Sequence, residues 1–313
     1  MSHTPTIAWI GIGKIGLPMA VRAMQAGFDL AAFDASPARL ALAHEQGLKT
    51  AASAEAAVQG RDVVVTSLPD DQALRGALSG PDGVVAQMAA GAVLIETSTV
   101  SAEISAELAH LARARQISYL RAPVSGNASI AHTGALTCFV SGSRPAFETA
   151  RPLLASFTRA QTYLGEAEQA RYAKLAVNLM IAVSAGMMAE SLALARKGGV
   201  AWQDILNVFD DSAIASPMVK YKTAPLRSRD FESTFSCQQM VKDLDLILDA
   251  GRGAEVPLPL AALMRETYQA LIAEGDGETD FIATVRRAER LSGLGEPDQA
   301  DATSSETDAP REV

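Results

Sequence analysis

The stretch TIAWIGIGKIGLPMA, residues 6–20, decides the fold of this chain. Its first five residues are typical of a buried strand, and its last residues favour a helix. Between them lie Gly11, Gly13 and Gly16 in the pattern G-x-G-x-x-G. The first glycine of this pattern allows a tight turn, the second lets the backbone approach a pyrophosphate, and the third lets helix and strand pack closely. We therefore predict a dinucleotide-binding turn, whose contacts we expect from Gly11, Ile12, Gly13, Lys14, Ile15 and Gly16.

The next predicted strand, LAAFD, ends at Asp34. A carboxylate at that place accepts hydrogen bonds from the adenine-ribose 2′-hydroxyl and repels a 2′-phosphate, which predicts NAD as the cofactor. Arg39, one turn into the following helix, keeps NADP possible. In the plainer alternative the glycines only form a tight turn and Asp34 only caps a helix.

The rest of the first half continues the same alternation. Short apolar runs such as DVVVTSLP (residues 62–69) and AVLIETST (residues 92–99) are separated by Ala-rich helical segments. This pattern predicts an α/β Rossmann-type domain with a mainly parallel sheet over residues 1–164. Strand signals then stop, which predicts an all-α domain over residues 165–292, beginning with a long interdomain helix at about 168–197. The last residues, 293–313, are acidic and almost free of apolar side chains, so we expect disorder there.

Charge and cysteine content exclude several classes of function. The formal net charge is −9, without clusters of Lys or Arg, which predicts neither a nucleic-acid nor a membrane partner. Cys138 and Cys237 lie far apart, with no CxxC motif and no His cluster, so we expect neither disulfides nor a metal site. The start of the chain lacks the features of a secretory signal, and we expect a cytoplasmic protein.

The segment YAKLAVNLMIAVSAGMMAESLALA, residues 172–195, predicts a buried helix because it is apolar on nearly every side. It nevertheless carries Lys174 and Asn178, four residues apart and hence on one helix face. A membrane span is the alternative, but Lys174, Asn178 and Glu190 favour a core helix. Burying a lysine without a partner costs free energy, which points to a functional role for Lys174. The alternative is a lysine whose side chain reaches outward from the end of the helix.

Four stretches together resemble the β-hydroxyacid dehydrogenase family, the relatives of 3-hydroxyisobutyrate dehydrogenase. The resemblance spans about residues 6 to 292, and the four stretches are IGIGKIGLPMA, RAPVSGNASIAHTGALTCFVSG, GEAEQARYAKLAVN and FESTFSCQQMVKDLDLILD. It implies a 3-hydroxy acid or its semialdehyde as substrate, a nicotinamide cofactor and a homo-oligomer, commonly a dimer or tetramer.

The resemblance also implies roles for single residues. Lys174 becomes the general acid/base, and Asn178 its neighbour in the substrate pocket. The reference pKa of a lysine is about 10.4. To act as a base, the lysine needs a pKa lowered toward about 7–8, and burial lowers it. The turn PVSGN supplies Ser125, Gly126 and Asn127, whose backbone N–H groups would bind the substrate carboxylate, unless it is an ordinary turn. Further cofactor contacts are implied for Leu68, Pro69, Thr99 and Lys242, although Lys242 alone would read as an exposed helical charge.

Departures from the family pattern concern the substrate more than the reaction. Arg121 replaces an Asp, Asn127 replaces a Gly, and Glu168 and Ala170 replace glycines before the long helix. Because Arg121 and Asn127 flank the carboxylate-binding turn, we expect them to accommodate a larger or more anionic substrate. Ile15 replaces a Met and Val177 an Asn. Two other functions remain open: imine reduction on the same fold, which the retained Lys174 disfavours, and a non-catalytic dinucleotide-binding module.

Overall fold

The computed structural model describes residues 4–297, and the chain divides into two compact units with the boundary after Ala176. The sequence placed the boundary earlier, before the long helix rather than within it. Most of the predicted acidic tail lies outside the described residues, so its disorder stays a prediction.

In the described part of the chain, the first unit is built on one nine-stranded sheet. Its strands are β1 (Ile7–Ile10), β2 (Leu30–Phe33), β3 (Lys49–Thr50), β4 (Val63–Thr66), β5 (Val93–Glu96), β6 (Ser118–Arg121), β7 (Val124–Ser125), β8 (Leu136–Gly142) and β9 (Thr158–Gly165). The order is β3-β2-β1-β4-β5-β6-β8-β7, with β9 paired to β8. Strands β1 to β6 are parallel, and β8 runs antiparallel to β6 and β7.

The order β3-β2-β1-β4-β5-β6 is that of a doubly wound sheet, in which ligands bind at the carboxyl ends of the strands where the order reverses. Here the reversal lies between β1 and β4, and the glycine turn follows β1. The mainly parallel Rossmann-type fold predicted from the sequence is thus confirmed.

Helices cover both faces of the sheet because its central strands are apolar on both sides. They are α1 (Gly16–Gln25), α2 (Pro37–Glu45), α3 (Ala54–Val58), α4 (Asp71–Leu78), α5 (Val84–Gln87), α6 (Ala102–Ala114), α7 (Ala128–His132) and α8 (Arg144–Phe157). Successive residues of β1 point to opposite faces of the sheet and pack in two different hydrophobic clusters. Ile7 and Trp9 pack in one cluster, where Trp9 meets Phe157 edge to face, and Ala8 and Ile10 pack in the other.

The long helix is α9 (Gln169–Lys197), 29 residues in length and close to the predicted bounds. Of the helices within residues 4–297, it alone has the length and hydropathy of a membrane span, and the same properties are found in core helices of soluble proteins.

The second unit is helical, as predicted. After α9 come α10 (Trp202–Asp211), α11 (Pro217–Arg227), α12 (Cys237–Gly253), α13 (Pro259–Ala273), a 3₁₀ turn (Phe281–Ala283) and α14 (Thr284–Leu291). A buried ion pair joins α11 to the residue before the 3₁₀ turn: Lys222 Nζ donates to Asp280 Oδ1 at 2.6 Å. Burial lowers the pKa of Lys222, and the Asp280 carboxylate opposes that effect.

Candidate active site

The turn of residues 11–16 requires glycine at two places for reasons internal to the protein. Gly11 has φ +91°, and a Cβ there would lie 2.3 Å from the carbonyl oxygen of Ser67. A Cβ on Gly16 would lie 2.3 Å from the carbonyl oxygen of Gly11. Gly13 differs, since its nearest neighbour would be Nη1 of Arg39 at 3.5 Å. Its lack of a side chain therefore leaves room that no protein atom fills.

Helix α1 begins directly after Gly13, Lys14 and Ile15. Ile15 occupies the N-cap position, and no side chain caps the helix. The first amides of a helix attract anions, and a capping side chain would compete with a ligand there. The uncapped helix start and the open space at Gly13 fit a pyrophosphate. Of the other residues in the turn, Ile12 is buried and Lys14 is exposed.

Asp34 directly follows β2, with 7% of its surface exposed. Its Oδ2 accepts the backbone N–H of Ile12 at 2.9 Å, and its Oδ1 accepts the N–H of Ser36 at 2.9 Å. Nη1 of Arg39 lies 3.5 Å from Oδ2. Asp34 therefore holds the glycine turn in place, and the half-exposed guanidinium of Arg39 lies beside it. A carboxylate suited to a ribose 2′-hydroxyl and a guanidinium suited to a ribose 2′-phosphate are thus neighbours.

The remaining predicted contacts of the first unit follow β4 and β5. The N–H of Leu68 donates to Oγ of Ser98 at 2.8 Å. Pro69 is exposed and Thr99 is half-buried. All three predicted residues, Leu68, Pro69 and Thr99, thus lie at the carboxyl edge of the sheet, beside the turn of residues 11–16.

Lys174 lies in the second turn of α9 and is 8% exposed. One turn earlier, Arg171 is 1% exposed and forms an ion pair with Glu96, the last residue of β5. Neither Arg171 nor Glu96 was predicted as a functional residue. A carboxylate at the end of the apolar run VLIE and an arginine three residues before Lys174 were the signals available in the sequence.

The turn proposed for the substrate carboxylate follows β7. Gly126 has φ +135°, and a Cβ there would lie 2.6 Å from Cδ2 of Leu136, so this position requires glycine. Ser125 is half-buried at the end of β7. Asn127 is the N-cap of α7, and its Oδ1 accepts the N–H of Ile130 at 3.0 Å. The capping oxygen of Asn127 is therefore engaged inside the protein.

Arg121 is engaged as well. Its Nε donates to Oε1 of Glu168 at 2.8 Å, and its Nη2 contacts the same oxygen. Its guanidinium carbon lies 4.8 Å from the centre of the Tyr119 ring. The positive charge that we expected to face a substrate is thus balanced by a glutamate. Two of the departures from the family pattern, Arg121 and Glu168, are thus partners of each other.

In the second unit, Asn178 and Asp243 form a buried pair. Nδ2 of Asn178 donates to Oδ2 of Asp243, and the two residues are 6% and 1% exposed. Nζ of Lys242 lies 2.7 Å from the other carboxylate oxygen, Oδ1. Asp243 therefore joins two predicted site residues, Asn178 and Lys242. Sequence reasoning missed it, although it directly follows Lys242.

Neither cysteine is placed for chemistry. Burial raises the pKa of the Cys138 thiol, and burial raises that of Cys237 to about 12, so both thiols stay protonated near neutrality. Within residues 4–297 no three His, Cys, Asp or Glu side chains are grouped so that they could hold a metal ion.

Two family models match the chain. The NAD binding domain of 6-phosphogluconate dehydrogenase matches residues 6–165, and the model for the NAD-binding region of NADP-dependent 3-hydroxyisobutyrate dehydrogenase matches residues 169–288. Both describe dinucleotide-binding dehydrogenases, and together they cover most of the described chain.

Individual proteins agree with these models. The chain is 30% identical to 2-(hydroxymethyl)glutarate dehydrogenase of Eubacterium barkeri, over 94% of this chain and 98% of the relative. It is 32% identical to NAD-dependent L-serine dehydrogenase of Pseudomonas aeruginosa, over 92% of this chain and 99% of the relative. The solved Mycobacterium tuberculosis 3-hydroxyisobutyrate dehydrogenase with L-serine is 29% identical, with a TM-score of 0.82, over 91% of this chain and 99% of that chain.

Proposed function

Because the chain belongs to the β-hydroxyacid dehydrogenase family, we propose that it interconverts a small 3-hydroxy acid and the corresponding semialdehyde, with Lys174 as the general acid/base. The observation that carries the proposal is the burial of Lys174 in an apolar helix of the fold expected for this reaction. A lysine held there can exchange a proton with a substrate hydroxyl without competition from bulk water.

A nicotinamide dinucleotide is the cofactor of this family, and the residues of the first unit fit it. The turn of residues 11–16 would hold the pyrophosphate, Asp34 the adenine ribose, and Leu68, Pro69 and Thr99 the part that extends along the sheet edge. When bound, the cofactor supplies the nicotinamide C4 that accepts or returns a hydride. We propose NAD rather than NADP because a carboxylate at Asp34 repels a 2′-phosphate, and Arg39 is the feature that favours NADP.

Lys174 handles the proton in this proposal. As hydride leaves the substrate carbon, the hydroxyl oxygen loses its proton to Nζ of Lys174 and becomes the carbonyl oxygen of the semialdehyde. In the reverse direction the Lys174 ammonium returns that proton. The backbone N–H groups of Ser125, Gly126 and Asn127 bind the carboxylate, since a compact anion suits a turn of such donors. From the second unit we propose Asn178 as a substrate contact and Lys242 as a cofactor contact, both on the family resemblance.

Arg121 receives a different role from that expected. Since its Nε and one Nη already contact Glu168, we propose that it acts through that pair rather than as a direct ligand of the substrate carboxylate.

A panel of acids tests the proposed reaction. Purified protein is assayed with 3-hydroxyisobutyrate, 3-hydroxypropionate, D-glycerate, L-serine and threonate, each with NAD⁺ and NADP⁺, and reduced nicotinamide is measured. In 4-hydroxybutyrate the hydroxyl lies one carbon farther from the carboxylate, which makes it the matched control. We expect NAD⁺-dependent turnover of at least one 3-hydroxy acid and little with the control. Turnover with NADP⁺ alone would contradict the role given to Asp34, and silence across the panel with NAD⁺ still bound would contradict the reaction.

We also propose a soluble, cytoplasmic homo-oligomer. Met180, Met187 and Leu194 recur every seven residues on α9, and all three are exposed. Beside them in the second unit, a groove of about 640 Å³ is lined by α9, α13 and α14 and includes Leu263 and Leu291. Contiguous apolar surface of this kind is normally covered, and a second copy of the chain is the partner that the family resemblance favours.

A further inference from the structure

Arg171 lies buried on the first turn of α9, and all three nitrogens of its guanidinium donate hydrogen bonds. Its Nη2 donates to Glu96 Oε2 and to the Tyr119 hydroxyl at 3.2 Å. Its Nη1 donates to the carbonyl oxygen of Ser98 at 2.8 Å, and its Nε donates to Oγ of Ser105 at 3.2 Å. The guanidinium thus connects α9 to β5, β6, α6 and the loop after β5.

Ser98 extends this connection to the residues proposed to hold the cofactor. Its N–H donates to Glu96 Oε1 at 2.6 Å, so one carboxylate holds both Ser98 and Arg171. Its Oγ accepts the N–H of Leu68 at 2.8 Å, and the next residue is Thr99. These hydrogen bonds therefore fix the position of Arg171 relative to Ser98, Leu68 and Thr99.

A second ion pair lies on the other side of Tyr119. Arg121 stacks on its ring and contacts Glu168, which directly precedes α9. The ring of Tyr119 thus contacts one arginine, and its hydroxyl contacts the other. Two glutamates and two arginines balance in charge, and together they fix residues 168 and 171 to the ends of β5 and β6.

Such a cluster is poorly explained by stability alone. A buried ion pair contributes little more than apolar residues of the same volume, because its desolvation offsets its Coulomb attraction. What it does supply is directional geometry, since the planar guanidinium fits its acceptors in one orientation. Burial by itself would lower the pKa of Arg171, but the Glu96 carboxylate and Tyr119 outweigh it and raise the pKa, so the guanidinium stays charged.

We infer that Arg171 and Glu96, supported by Arg121 and Glu168, are positioning residues for Lys174. Arg171 and Lys174 are three residues apart, so they lie on neighbouring parts of one helix face. A helix moves as a stiff body, and a shift at residue 171 becomes a shift of the Lys174 ammonium relative to the cofactor edge. Misplacement of a reacting group by about 1 Å costs on the order of 100-fold in rate. The inference rests on the proposed acid/base role of Lys174.

The test measures Arg171→Lys in two backgrounds. Lysine keeps the charge but loses the fork of donors. In the otherwise unchanged protein we expect kcat to fall about 10- to 100-fold, with the KM of the acid and the Kd of NAD changed less than about threefold. In the Lys174→Ala background we expect Arg171→Lys to change the residual rate less than about threefold, because effects of residues that act as one unit are not additive. An equal loss in both backgrounds would overturn the inference.

Two further variants keep the test decisive if Arg171→Lys folds poorly. Glu96→Gln removes the charge but keeps an acceptor of the same shape, and we expect the same dependence on the Lys174 background. Glu107→Gln is the matched control, because Glu107 pairs with Arg75 at the surface, and we expect no change in kcat. If Lys174→Ala itself retains full kcat, the proposed function fails. If Lys174→Ala is impaired but Arg171→Lys and Glu96→Gln keep full kcat, only the positioning role fails.

Discussion

The two halves of α9 depart from ordinary helix patterning in opposite directions. Its first half buries polar side chains, Arg171, Lys174 and Asn178, whereas its second half exposes Met187, which is 57% accessible, and Leu194, which is 76% accessible. A surface helix normally buries its apolar side chains and exposes its charges. Burying charge is costly and is accepted where chemistry needs it, and exposing apolar area is accepted where a partner covers it. One helix therefore marks both the proposed reaction site and the proposed contact with a second copy.

The largest effect is expected from Lys174→Ala. Loss of a general base typically costs about 10²–10⁴ in rate, so kcat should fall by that amount while the Kd of NAD changes less than about threefold. Steady-state assays and a binding titration measure the two quantities.

Lys197→Ala is the matched control, because Lys197 is the exposed last residue of the same helix. We expect its kcat to stay at the level of the unchanged protein. Full activity of Lys174→Ala would contradict the proposal that the polar side chains buried by the first half of α9 serve the reaction.

Asp243→Ala should have a smaller effect, in the second unit. Nδ2 of Asn178 would lose its buried acceptor, which costs about 1–3 kcal/mol, and kcat/KM should fall about 10-fold as Asn178 loses its fixed orientation. The measurement is kcat/KM for the best acid of the panel.

Asp249→Ala serves as the comparison, since Asp249 lies on the same helix in an exposed pair with Arg252. If both aspartate variants lose the same activity, Asp243 has no specific role in orienting Asn178.

The exposed half of α9 is tested by Met187→Glu. A carboxylate on the apolar stripe should be desolvated at an interface between copies, and we expect a shift toward monomer in sedimentation velocity, with far-UV circular dichroism unchanged. Ala106→Glu, at an exposed position of α6, controls for an added charge away from the stripe. An unchanged oligomer with Met187→Glu would place the interface elsewhere.

The smallest effect is expected from the thiols. Burial raises the pKa of Cys138 and raises that of Cys237 to about 12, so neither thiolate forms near pH 8 in the folded protein. Both should resist alkylation until the chain unfolds. A thiol in the unfolded chain has a pKa of about 8.5. The folded protein should therefore lose stability relative to the unfolded chain as the pH rises above that value. Rapid labelling of the native protein at pH 8 would contradict this.

The sequence predicted the features that depend on neighbouring residues. The strand, glycine turn and helix of residues 6–20, the end of β2 at Asp34 and the length of α9 could be predicted because each is a local pattern. The bounds of α11 are harder to predict, because Pro217 and Pro225 resemble helix breakers, although the first occupies the helix start. Strand β9 carries no clear strand pattern, because its sequence, TRAQTYLG, is largely polar.

The partners of buried charges could not be predicted. Arg171 and Glu96 are 75 residues apart, and Arg121 and Glu168 are 47 residues apart. Periodicity tells which face of an element is buried but not which side chain meets it, so Arg121 was expected to face a substrate. The pairing of two departures from the family pattern emerged only in three dimensions.

The central claim is tested most directly by following deuterium from substrate to cofactor. The fastest acid of the panel is prepared with deuterium on the carbon that bears the hydroxyl, and a second sample carries it on the neighbouring carbon. Reduced nicotinamide from each reaction is examined by NMR. The account predicts deuterium at nicotinamide C4 from the first sample only. Transfer from the second sample, or no transfer from the first, would contradict oxidation of the 3-hydroxyl group.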